Sequence, residues 1–132
     1  MKLGATLYIH NTPEALRLYQ QAFGLTPGYI APNPDGTYLH VSLCRDGEEL
    51  FAISESHNPA LLALLHRANL QTNRPIANLG VGLPTQAEVE HAFALLAAEG
   101  TVTLPLQTLP WCPLAGEVVD KFGVYWYIHL QP

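Results

Sequence analysis

Charge is scarce in this chain: 13% of its 132 residues are Asp, Glu, Lys or Arg. The basic residues (Lys2, Arg17, Arg45, Arg67, Arg74 and Lys121) are scattered, so no patch can neutralise a phosphate backbone. With a net charge of −5, nucleic acid is not an expected partner. Long hydrophobic runs are missing too. None reaches the roughly 18 residues that cross a bilayer, and the opening "MKLGATLYIHN" turns polar too early for a signal peptide. A cytoplasmic protein with no membrane partner is therefore expected. Cys44 and Cys112 are the two cysteines; they form no CxxC pair and no disulfide framework. No glycine-rich loop follows a strand to cradle a phosphate, so nucleotide cofactors, including those a methyltransferase would need, have no seat. No Ser or Cys sits on a nucleophile elbow. No cofactor is expected.

What the chain has is apolar mass and regular punctuation. Hydrophobic residues make up 48% of it, enough for one sizeable core in a single domain. "LGATLYI" reads as a strand. Asn11 and Thr12 offer an N-cap, Pro13 stands near the first helical position and Glu14 favours the positive end of the helix dipole. Ala15, Leu18, Tyr19, Ala22 and Phe23 recur at helical spacing until Gly24 ends the helix. A strand at 26–31 leads through the turn-rich "PNPDG" to "TYLHVSLC", and "RDG" turns that strand into "EELFAIS".

The second half repeats this order. "NLGVGL" is a strand, and Thr85 caps a helix with Val89, Ala92, Phe93 and Leu96 on one face. Strands at 101–107 and 111–120 follow, and "DKFG" turns into the last, aromatic-rich strand. Gly24 and Gly100 are 76 residues apart, and so are Gly47 and Gly123. Two matched spacings with the same element order argue for an internal repeat of β-α-β-β-β units, an α+β chain. The expected division is module one at about 1–55, a connector at about 56–76 and module two at about 77–132. The connector helix in "NPALLALLHR" is apolar nearly all round and is expected to be buried.

A tandem pair of such units resembles the vicinal oxygen chelate superfamily, the glyoxalase, bleomycin-resistance and extradiol dioxygenase group. The resemblance covers almost the whole chain. "EGTVTLPLQ…W…GEVVDKFGVYWYI", "EALRLYQQAFG" and His40 in "YLHVSL" are similar to its PhnB-like branch. Pro110, where the branch usually has a bulky aromatic, and Ala115 depart from the pattern. The resemblance implies two modules curling into a cupped half-barrel of mixed sheet, with helices outside. Strand parity then sorts the side chains. Leu3, Ala5, Leu7 and Ile9 are expected in the core, with Thr6, Tyr8 and His10 in the cup. Leu39, Val41 and Leu43 go to the core, and Tyr38, His40 and Ser42 look inward. In the last strand Val124, Trp126, Ile128 and Leu130 are core, while Tyr125, Tyr127 and His129 line the cup.

Metal-dependent members carry four ligands, His or Glu, in the first and last strands of each module. Those positions correspond here to Gly4, Ile53, Gly80 and Tyr127, none of which holds a divalent metal well. The resemblance thus implies no metal at the usual positions, with Gly80 and Gly82 leaving space at the cup floor. An alternative set exists in His10, His40 and His129, which share inward parity and could bind zinc or iron. Parity does not put them at one height, and separate pocket-lining histidines are the simpler reading. His57, His66 and His91 read as surface residues, Glu48 and Glu49 as a solvated pair, and Asp120 as the stabiliser of the "DKFG" turn.

Two functions remain open. One is a metal-free small-molecule-binding protein whose cup is lined by Tyr8, Tyr38, Ser42, Trp111, Tyr125, Tyr127 and His129. The other is an enzyme, metal-dependent or histidine-based, of lyase, isomerase or dioxygenase type. In it His40 would act as general base on a small carbonyl or enol substrate. The apolar connector helix, together with the resemblance, implies a homodimer.

Overall fold

A computed structural model describes residues 1–71 and 75–132. Positions 72–74 of the connector, Arg74 included, lie outside the described residues. The chain divides into two compact units, Met1–Leu62 and Ala63–Pro132. Each carries one four-stranded mixed sheet and together they make an α+β fold of two repeated modules.

In the first unit the strands β1 (Thr6–Ile9), β2 (Thr26–Pro32), β3 (Tyr38–Arg45) and β4 (Glu48–Glu55) are ordered β1-β4-β3-β2. β1 runs parallel to β4 and the other pairs are antiparallel. Asp46 and Gly47, both at positive φ, make the tight β3–β4 turn. Helix α1 (Thr12–Phe23) is capped by Asn11, whose side chain accepts from the Glu14 N–H at 3.4 Å, and ends at Gly24 in the left-handed conformation. Tyr19 on α1 meets Phe51 on β4 edge to face at 5.8 Å, within a core that includes Ile9, Val41, Leu43 and Ile53.

Strand parity misplaces three residues here. Leu3 and Ala5 are exposed because β1 begins only at Thr6. Leu39 is 55% exposed. The β2–β3 register slips between Ala31–His40 and Pro32–Tyr38, so the alternation breaks at Leu39.

The second unit orders its strands β5 (Leu79–Leu83), β8 (Tyr125–Leu130), β7 (Cys112–Val119) and β6 (Thr101–Leu109). Helix α3 (Gln86–Ala97), capped by the Thr85 side chain, packs Val89, Ala92, Phe93 and Leu96 against the sheet. A Cβ on Gly116 would stand 2.8 Å from the Phe93 ring and 2.9 Å from the Leu104 carbonyl oxygen. Glycine is what lets helix and sheet approach so closely here. Trp126 and Ile128 are fully buried, while Val124 and Leu130 at the strand's ends are half-buried.

Helix α2 (Pro59–Gln71) corrects one expectation: none of its residues is buried, and Leu61, Leu64, Leu65 and Leu70 are exposed. In the second unit it meets the 120–123 turn through Asn69, whose amide donates to the Gly123 carbonyl at 2.9 Å, and through His66 against Gly123. These few contacts leave its leucines uncovered, and they make His66 half-buried and not a surface residue. Among the described residues no helix is long and apolar enough to cross a membrane.

Candidate functional site

The second unit holds a cavity of about 820 Å³. Its walls follow from strand parity. On β8 the fully buried Trp126 and Ile128 take one face and leave Tyr125 and Tyr127 for the other. On β7 Gly116 and Val118 take the α3 side, so Glu117 points to the cavity from directly opposite Tyr127. Thr103, Leu104 and Leu109 from β6, Trp111 from the β6–β7 turn, and residues 75–78 complete the lining.

Hydrogen bonds fix the polar groups of this wall. The Trp111 indole N–H donates to the Tyr127 hydroxyl at 3.1 Å, holding a side chain that is otherwise 73% exposed. The Tyr125 hydroxyl donates to Glu117 Oε2 at 2.9 Å and accepts from the Thr103 hydroxyl at 3.0 Å. Burial pushes the Tyr125 phenol above its ordinary value; the Thr103 bond pulls against this, and Glu117, as acceptor and as charge, adds to the rise. Tyr125 therefore stays a protonated donor across the neutral range. Behind Tyr127, the His129 ring stacks at 5.0 Å between centroids, and its Nδ1 lies 3.3 Å from the Leu130 carbonyl. A Cβ on Gly82 would come within 2.9 Å of that imidazole, so the missing side chain there makes room for His129, whereas a Cβ on Gly80 would meet only the Tyr127 ring, at 3.7 Å.

The other expected site residues belong to the first unit. Tyr8 is exposed on β1. His40 is half-buried, with its ring 6.2 Å from that of Tyr29. Ser42 is buried, and its hydroxyl accepts the Tyr29 N–H at 2.7 Å beside the register shift between Pro27 and Ile30. That bond gives it a structural task. The Tyr38 N–H donates to the Thr12 hydroxyl at 2.9 Å, which in turn donates to Glu55. His10 Nδ1 lies 3.4 Å from Glu55 Oε2 at the start of α1.

None of the four positions that the resemblance implies for chelation carries a His, Cys, Asp or Glu side chain. Gly4 precedes β1, Ile53 is fully buried opposite Leu7, and Gly80 faces Tyr127 across the β5–β8 pair. Among the described residues no three His, Cys, Asp or Glu side chains gather within reach of one ion.

Sequence reasoning missed Glu117 and Thr103. The signal for Glu117 was present, since Gly116 and Val118 alternate around it as the helix-facing pair.

No protein-family model and no curated protein matches the sequence. Solved structures do. Protein PA1353 from Pseudomonas aeruginosa is similar over 99% of this chain and 98% of its own, with a TM-score of 0.78 and 22% identity. The PhnB protein from Bacillus cereus matches 99% of this chain and 100% of its own, with a TM-score of 0.74 and 25% identity. A glyoxalase-related enzyme from Fulvimarina pelagi covers 100% of this chain and 88% of its own, with a TM-score of 0.65 and 23% identity.

Proposed function

We propose that this chain, whose fold is that of the vicinal oxygen chelate superfamily, is a small-molecule-binding protein acting through the aromatic cavity of its second unit. The observation that carries this reading is the bridge from Trp111 to Tyr127, which closes an aromatic wall over a cavity of about 820 Å³. That size is in the range of small-molecule sites, and the lining sets aromatic side chains beside polar groups that can orient a ligand. The residues at the chelate positions support a site that works without a bound metal.

Native mass spectrometry with elemental analysis tests the proposal on the purified protein. A co-purified small molecule that is lost in Trp111→Ala, with no stoichiometric metal, is the expected outcome. Stoichiometric zinc, iron or nickel that disappears on changing His10, His40 or His129 would overturn it. In the first unit His40 is retained as the proposed catalytic or binding residue. Because His40 does not line the second unit's cavity, His40→Ala is expected to leave stability unchanged and to weaken only a ligand bound in the first unit.

The proposal includes a cytoplasmic homodimer. The leucines of α2 exposed in one chain support a second copy as their cover. Light scattering at tens of micromolar that shows a monomer would rule the dimer out.

A further inference from the structure

We infer that the cavity of the second unit selects a planar organic cation, with Glu117 as its counter-charge. This rests on the proposed binding function and specifies its ligand class.

Glu117 is the one charged side chain among the described residues that line the cavity. It stands among Trp111, Tyr125 and Tyr127. Tyr125 engages Oε2, and Oε1 makes no hydrogen bond among the described residues. A neutral ligand without a hydrogen-bond donor would strip water from Oε1 and return nothing for it. An anion would meet the carboxylate's field at short range. A cation meets both features at once: it pairs with the carboxylate, and its charge lies against aromatic faces that attract it. A planar shape suits a lining in which Trp111, Tyr125 and Tyr127 stand around the carboxylate. The raised proton affinity of Tyr125 keeps its hydroxyl donating to Glu117, which holds the carboxylate in place before any ligand arrives.

Isothermal titration of the full chain at pH 8 with three probes of similar shape tests this. The probes are N-methylquinolinium as the cation, quinoline as the neutral form and quinoline-4-carboxylate as the anion. The cation is expected to bind about tenfold more tightly than quinoline, and the anion more weakly than either. Glu117→Gln should erase the preference, chiefly by weakening cation binding. Added salt should weaken cation binding and spare quinoline, a readout that needs no variant. Quinoline binding as tightly as the cation, or a preference that survives both salt and Glu117→Gln, would overturn the inference and leave the cavity reading intact. If the wild type binds none of the three, the inference falls, while the cavity reading stands or falls on the co-purified ligand and its loss in Trp111→Ala.

Discussion

The Trp126 indole N–H donates to Asp120 Oδ2 at 2.8 Å, and neither side chain has any exposed surface. Oδ1 of the same carboxylate receives the N–H groups of Phe122 at 2.8 Å and Val124 at 3.1 Å. One acid thus ties the turn before β8 to the largest buried side chain of the second unit. It also sets where Tyr125 and Tyr127 emerge.

Asp120→Ala would remove the acceptor of one buried donor, the Trp126 indole, and of two half-buried backbone donors. A loss of about 3 kcal/mol or more is expected, measured by urea unfolding. Asp120→Asn keeps an oxygen for the two backbone groups but sets an N–H against the indole N–H, so a smaller loss is expected. An unchanged midpoint for Asp120→Ala would contradict this role.

Glu55 gathers the N-terminus of α1: its carboxylate accepts from the backbone N–H groups of Asn11 and Thr12 and from the Thr12 hydroxyl, each at 2.9 Å. Burial pushes its acidity toward weaker values, but those bonds and the charge of His10 outweigh it and hold the carboxyl below its ordinary value of 4.5. A lowered folded-state value means the stabilisation is fully present above pH 4.5 and is lost as pH falls through the folded-state value. Unfolding measured from pH 6 down to about pH 3 should show this slope. Glu55→Gln should flatten it and be less stable at neutral pH.

Gly116→Ala is expected to destabilise the second unit by roughly 1–3 kcal/mol, because the added methyl group meets both the Phe93 ring and the Leu104 carbonyl oxygen. Phe93→Leu in the same chain should recover part of the loss and not all. The carbonyl belongs to the backbone of β6 and cannot withdraw as a side chain can. Thermal denaturation of the single and double variants decides it.

Ser42→Ala should cost about 1 kcal/mol by removing the acceptor of the Tyr29 N–H at the β2 irregularity. Ser42→Thr, which keeps the hydroxyl, should lose less if the extra methyl group is accommodated. Equal stability of Ser42→Ala and the wild type would contradict this structural role.

Much was determined by the sequence alone. The Asn11 and Thr85 caps, the Asp46–Gly47 turn, the Asp120 turn and the repeat of β-α-β-β-β depend on residues close together in the chain, whose conformational preferences act locally. Strand parity is also local, so it placed Trp126 and Ile128 in the core and Tyr125 and Tyr127 on the opposite face. Parity failed at Leu39, where the pairing of β2 with β3 shifts register, because a strand's own residues do not record their partner's bulge. It failed again at Leu3 and Ala5, which precede the first paired residue of β1. The exposure of α2, the tie from Trp111 to Tyr127 and the meeting of Glu117, Tyr125 and Thr103 were decided by tertiary structure. Three consecutive strands must pair in one register before a carboxylate, a phenol and a hydroxyl come within hydrogen-bond reach, and that register is a property of the assembled sheet.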